Sequence, residues 1–207
     1  MAGTMPHAIF IETNADGAGG VAAYAAEVPG CAVFAATDEE AAGAMPARVQ
    51  RFLAWLAEHG EPAPPVIGDN WYEVERAAAD STGENLRRAA FTLDELSPSD
   101  EDFERWLVWL EMAREELAAA LDGTADPPPD ALRAIARQDL AFAHELGAES
   151  GDAAVDGDPV DAVYAARDSL TDALVAAGPT ADASRRILRL AIADDLHLAQ
   201  WLSGEGS

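Results

Sequence analysis

The sequence has 207 residues and a formal net charge of −25, because 38 acidic residues outweigh 13 arginines and there is no lysine. A surface this acidic repels phosphate backbones, so we expect no direct nucleic-acid binding and expect attraction to a basic protein partner. The single cysteine, Cys31, excludes an internal disulfide and a thiolate metal cluster, which favours a reducing, cytoplasmic location.

The start of the chain and its overall length give two further expectations. The first 20 residues contain no basic segment and only a short apolar stretch, so we expect no signal peptide. No run reaches the roughly 18 apolar residues that a membrane-spanning helix needs. The length and a change of pattern midway predict two domains, residues 1–97 and 98–207.

The first half of the chain predicts a β-β-β-α-β unit. Apolar and β-prone segments at 8–12, 21–28 and 29–35 are separated by turn residues and predict three short strands. Thr37 and the acids that follow it are typical of a helix start, and Gly60 is typical of a helix end. Pro46 predicts a kink or a restart within that helix. The segment 71–78 predicts a returning strand, and 86–91 is a candidate for one more.

The second half predicts four helices, at about 100–121, 129–147, 158–177 and 181–203. Their lengths are similar, and the connections between them are rich in proline, glycine and capping residues. This pattern predicts an all-α antiparallel four-helix bundle. The fold class expected for the whole chain is therefore α+β.

Each predicted bundle helix places one charged residue on its apolar stripe. These four residues are Arg114, Asp139, Arg167 and Asp194. Isolated buried charges cost several kcal/mol each, and arginine can grip a carboxylate with two hydrogen bonds. We therefore predict an interior ion-pair network of these four residues, with His197 at its margin.

Three alternatives to that structural network stay open. One or two of the charges could reach solvent as boundary residues, or the cluster could line a pocket for an anionic or polar small molecule. A divalent metal held by Asp139, Asp194 and His197 is consistent with ligand chemistry, but two nearby guanidinium groups would oppose a cation. We therefore expect no metal or other cofactor.

Other reactive or aromatic residues are expected to be structural. Cys31 is expected to be a core residue rather than a nucleophile. The histidines outside the network are expected at the surface or its boundary, and three tryptophans are expected to pack in the core or between domains. These residues are His7, His59, His144, Trp106, Trp109 and Trp201.

Three segments of the first half carry a resemblance to a known family. They are EVPGC at 27–31, ATDEEA at 36–41 and LAEHGEPAPP at 56–65, which follow a glycine-rich hairpin. In this order they resemble the HicB-like antitoxin domain. The resemblance implies a unit that pairs with a small basic toxin and is followed by a DNA-binding segment, although no ribbon-helix-helix or helix-turn-helix pattern follows here.

The second half resembles the DinB-like four-helix bundles. The segments that carry this resemblance are WLVWLEMAREEL at 106–117 and RRILRLAIADDLHLAQWL at 185–202. Active members of that superfamily are metal-dependent thiol transferases or related enzymes with three histidine ligands. The resemblance puts these positions at His197, at Ala193 and near Ala134, so two of the three ligands are replaced.

Together these observations predict a non-catalytic two-domain protein that binds itself or a partner. A divergent DinB-type metal-dependent thiol transferase with a changed ligand set is one alternative. An antitoxin-like module that masks a basic protein partner is another. Bundles of this type often dimerise, so a homodimer is one arrangement that the sequence allows.

Overall fold

The computed structural model of the chain describes residues 7–64, 70–82, 85–149 and 157–204. The chain divides into two compact units, Met1–Asp94 and Glu95–Ser207, whereas the sequence placed the boundary after residue 97. Strands and one long helix build the first unit, and four helices build the second. The predicted α+β class is therefore confirmed.

The first unit is built on a four-stranded sheet. Its strands are β1 (His7–Thr13), β2 (Val21–Ala25), β3 (Ala32–Ala35) and β4 (Trp71–Ala78), in the spatial order β3-β2-β1-β4. The first three form an antiparallel meander, while β4 pairs parallel to β1. A parallel partner requires a crossover, which the long helix between β3 and β4 provides. The predicted β-β-β-α-β order is confirmed.

The helix of this unit, α1 (Asp38–Glu58), begins and ends where the sequence predicts. The Thr37 hydroxyl accepts a hydrogen bond from the Glu40 backbone amide at 3.3 Å, and Gly60 adopts a left-handed φ of 78° after the last turn. The sequence predicts a kink or a restart at Pro46; the helix is continuous through this residue, so it does not restart there. Met45 and Val49, on either side of the proline, are fully buried.

Cys31 and His7 both lie inside the first unit. Burial raises the pKa of the Cys31 thiol to about 12, so the residue is a protonated core side chain, as predicted. His7 is also buried, with its ring centroid 4.7 Å from that of Trp71, so its predicted place at the surface is wrong. His59 is exposed, as is His144 in the second unit.

A small hairpin follows the sheet. Its strands are β5 (Asp80–Thr82) and β6 (Asn85–Arg87), which pair antiparallel with each other. The candidate strand at 86–91 is thus reduced to β6, because the next residues leave the hairpin and return to the core. Arg88 and Ala89 are both buried there.

Glu12 anchors this returning segment to β1. Its carboxylate accepts hydrogen bonds from the Tyr24 hydroxyl at 2.6 Å and from the Ala89 backbone amide at 2.6 Å. The Arg88 guanidinium donates to the same carboxylate, with Nε 3.1 Å from Oε1 and Nη2 3.0 Å from Oε2. Burial alone raises the pKa of Glu12, but Arg88 and these hydrogen bonds outweigh it and hold that pKa below its ordinary value.

The second unit consists of α2 (Asp100–Asp122), α3 (Pro129–Glu145), α4 (Pro159–Ala177) and α5 (Ser184–Leu202). Its helix starts follow familiar sequence rules. The Ser99 hydroxyl accepts from the Asp102 amide at 3.1 Å, and the Asp158 carboxylate accepts from the Val160 amide at 2.9 Å. Proline occupies the first helical position of both α3 and α4, where its missing amide hydrogen costs nothing.

The contacts within this unit give the direction of each helix. One core cluster joins the ends of α2 and α5 with the starts of α3 and α4. Its buried members include Leu117, Leu121, Leu132, Ala136, Val163, Ala166, Leu198 and Ala199. α2 therefore runs antiparallel to α3 and α4 runs antiparallel to α5, while the two closely packed pairs, α3–α4 and α2–α5, each run side by side in the same direction. The longest connection within this unit, residues 146–158, joins α3 to α4.

No helix in the described part of the chain combines the length and the apolar character needed to cross a membrane.

Replacing Glu12 with glutamine should destabilise the first unit by about 3 kcal/mol at neutral pH, because Arg88 would stay buried without its anion. Hydrogen exchange of the β1 and β2 amides measures this loss. Glu73→Gln, which removes an exposed partner of Arg76, is the control and should leave exchange unchanged.

The same pair should give a defined pH dependence. A folded-state pKa of Glu12 below its ordinary 4.5 means that the ion pair stabilises the unit above about pH 4.5. This contribution is lost as the pH falls through the folded-state pKa. The difference in opening free energy between the wild type and Glu12→Gln should therefore shrink from pH 5 toward about pH 3, and a constant difference would contradict the assignment.

Candidate functional site

The interior of the helical unit contains a charged cluster formed by three helices. Asp139 on α3, Arg167 on α4 and Asp195 on α5 are each at most 4% exposed. Asp139 and Arg167 lie at corresponding heights because α3 and α4 run in the same direction. The parallel packing of these two helices thus brings an acid and a base together in the middle of the unit.

Arg167 binds both carboxylates. Its Nη1 donates to Asp139 Oδ2 at 3.1 Å, and its Nε donates to Asp195 Oδ2 at 3.2 Å. Its Nη2 forms an ion pair with Asp195 Oδ1, so two nitrogens of Arg167 contact the Asp195 carboxylate. A planar guanidinium is suited to this because its donors are fixed in a fork that matches a carboxylate.

Burial dominates the electrostatics of this cluster. It raises the pKa of the Asp139 carboxyl, although the positive charges of Arg167 and Arg114 act to lower it. The nearby carboxylate of Asp194 adds to the rise. Burial also lowers the pKa of Arg167, against the opposite effect of Asp139. The pairing therefore offsets a desolvation cost that either charge alone would leave uncompensated.

The structure brings Arg167 and Asp139 together as predicted, but the contact from α5 comes from a different residue. Asp195 makes it through hydrogen bonds, and the half-buried Asp194 acts on Asp139 and Arg167 through its charge. The sequence missed Asp195 because α5 is buried on nearly all sides. Leu188, Ile192 and Ala199 define a second apolar stripe, and Asp195 lies on it.

Arg114 also differs from its predicted role. Its Nη2 donates to the Arg167 backbone carbonyl at 3.0 Å, and its Nη1 donates to the Thr171 hydroxyl. Within the described residues it forms no ion pair with a carboxylate. Burial lowers the pKa of Arg114, while the charges of Asp139, Glu111 and Asp168 act in the opposite direction. Arg114 thus connects α2 to the backbone of α4 through neutral acceptors.

A cavity of about 180 Å³ lies beside this cluster, between α2 and α4. Arg114 and Arg167 line it, together with apolar side chains of both helices. Three exposed acids, Glu111, Glu115 and Asp168, also line it. The cavity is therefore lined by two guanidinium groups, by apolar side chains and by solvent-exposed carboxylates.

The residues at the three ligand positions implied by the DinB-like resemblance do not fit a metal. Alanine has no donor atom, and Ala193 is buried while Ala134 is exposed. His197 is exposed on α5. Across the described residues, no three histidine, cysteine, aspartate or glutamate side chains converge on one point where a metal could bind.

The sequence missed two other charged contacts of α5. Arg186 is buried and pairs with Glu145 of α3, and Arg185 lies 5.1 Å above the Trp106 ring. Both arginine contacts join helices that are distant in sequence, so no local spacing signals them.

The tryptophans differ in exposure. Trp106 and Trp109 are buried as predicted, but Trp201 is 52% exposed.

Comparison with known proteins identifies no relative of this chain. No protein-family model, no curated protein and no solved structure matches the chain. The HicB-like and DinB-like resemblances therefore stay predictions.

Replacing Arg167 with methionine should destabilise the helical unit by about 3–5 kcal/mol, because two carboxylates would remain buried without a cation. Urea denaturation followed by helical circular dichroism measures this. Arg105→Gln is the matched control, since it removes only exposed pairs on α2 and should cost at most about 1 kcal/mol.

A triple variant distinguishes loss of pairing from loss of packing. Arg167→Met combined with Asp139→Leu and Asp195→Leu should recover much of the stability, because no buried charge remains. Equal stability of Arg167→Met and the Arg105 control would contradict the ion-pair assignment.

Proposed function

We propose that the chain is a non-catalytic binding protein. The observation that carries this proposal is the place of the Arg167 guanidinium between the buried carboxylates of Asp139 and Asp195. Those carboxylates are buried groups of the bundle that could otherwise ligate a metal or move a proton. Because both are occupied by Arg167, the polar interior serves to hold α3, α4 and α5 together.

The charge of the protein indicates the chemistry of its partner. With a net charge of −25, the surface attracts basic proteins over distances comparable to the Debye length. Opposite charge accelerates association and disfavours acidic or polyanionic partners. The proposed partner is therefore a basic protein. The proposed location is the cytoplasm, where the single buried thiol of Cys31 stays reduced.

A second candidate function is favoured by the architecture of the first unit. Its β-β-β-α-β order is the one expected of a HicB-like antitoxin domain. An antitoxin-like module would mask a small basic protein, which agrees with the partner chemistry proposed above. A small basic open reading frame beside the gene supports this candidate, whereas a lone gene argues against it.

Co-purification from the native host at native salt tests the binding proposal. We expect a basic protein to be retained at low ionic strength and released as salt rises, because screening weakens the attraction. A purified chain that retains no protein at any salt concentration would contradict the proposal.

Metal analysis separates the binding protein from a divergent transferase. After incubation with Zn²⁺, Ni²⁺ or Fe²⁺ and gel filtration, we expect substoichiometric metal in both the wild type and His197→Ala. Stoichiometric metal that His197→Ala abolishes would instead favour the enzyme.

A further inference from the structure

The cavity between α2 and α4 is lined by charged side chains of both signs. Arg167 is satisfied by Asp139 and Asp195, so its charge is largely neutralised. Arg114 donates only to a carbonyl and a hydroxyl in the described structure. A guanidinium has five N–H donors and binds carboxylates in preference to neutral acceptors. Among the described residues, Arg114 is thus the cation of this cavity with no carboxylate hydrogen-bonded to it, although the charges of Asp139, Glu111 and Asp168 act on it.

The opposite charge lies on the solvent side of the same cavity. Glu111 and Glu115 of α2 and Asp168 of α4 line it and are exposed. These three carboxylates repel an anion and attract a cation, whereas Arg114 attracts an anion and repels a cation. A molecule that carries both charges satisfies both sets of groups.

The size and the remaining walls limit the ligand further. The cavity has a volume of about 180 Å³, below the roughly 300 Å³ at which pockets for drug-sized ligands begin, so its ligand must be small. Its other walls are mostly aliphatic and consist of Leu117, Ala118, Leu121 and Val163, with the aromatic ring of Tyr164. A small zwitterion with an aliphatic side chain fills such a space and removes apolar surface from water.

We propose that this cavity binds a free amino acid with an aliphatic side chain. Its carboxylate would be held by Arg114 and its ammonium group by Glu111 and Asp168. This inference rests on the proposed binding function and adds a small-molecule ligand to it. It involves no covalent step, since the cavity supplies complementary charge and shape alone.

Calorimetric titration of the full chain with three related probes tests the charge requirement. L-leucine carries both charges, leucinamide carries only the cation, and 4-methylpentanoate carries only the anion. We expect leucine to bind at least about tenfold more tightly than either of the others, as expected for one charge-assisted contact. Equal affinity for leucine and a single-charge probe, or no binding of leucine, overturns the proposal.

Substitutions locate the site. Arg114→Gln should weaken leucine binding about tenfold or more, while Arg105→Gln on the same helix should leave it unchanged. Glu111→Gln should weaken binding of leucine but not of 4-methylpentanoate, with the exposed Glu104→Gln as its control. Leucine binding that survives Arg114→Gln overturns the assignment.

A cavity-filling variant covers the case in which Arg114→Gln does not fold. Ala118 lines the cavity, so Ala118→Phe should block leucine without removing a charge. Helical circular dichroism verifies the fold of each variant. Retention of the basic partner is measured on the same samples, so a chain that keeps its partner but binds no leucine overturns this inference and leaves the proposed function standing. A chain that loses its basic partner but still binds leucine overturns the proposed function and leaves this inference standing.

Discussion

The helical unit depends on one interaction, the ion pairing of Arg167 with two carboxylates from different helices. Asp139 on α3 and Asp195 on α5 are buried so completely that neither is tolerable as an unpaired anion. Arg167 pairs with both through its three nitrogens and thereby joins three helices at one point, and the positive charge of Arg114 also acts on Asp139. A slip of α3 or α4 along its axis would separate the partners, so the pairing favours one register of the parallel helices.

This constraint also explains why the cavity differs from the cluster beside it. The carboxylates of the interior are taken by Arg167, and Arg114 is left to donate to the α4 backbone carbonyl and to Thr171. Arg167 therefore stabilises the bundle, while Arg114 places its positive charge and N–H donors beside the cavity. The proposed amino-acid site and the proposed structural role of the cluster follow from this division between two neighbouring arginines.

The sequence predicts the elements well and the tertiary contacts poorly. Caps such as Thr37 and Ser99 and breakers such as Gly60 mark helix ends through local chemistry, so those ends agree with the structure. Burial of α5 on nearly all sides removes the periodicity that would have identified Asp195. The Glu12–Arg88 pair joins residues 76 positions apart, and no local pattern signals it. The parallel course of α3 and α4 likewise depends on packing and not on helix lengths.

Nuclear magnetic resonance of the arginine side chains tests the central claim most directly, because each Nε–H reports its own hydrogen bond. The Arg167 signal can be assigned by its loss in Arg167→Lys. We expect an Arg167 Nε–H that exchanges slowly with solvent and shifts when Asp195 is replaced by asparagine, beside a fast-exchanging signal from the more exposed Arg105. An Arg167 signal that exchanges as fast as that of Arg105 and ignores Asp195→Asn would contradict it.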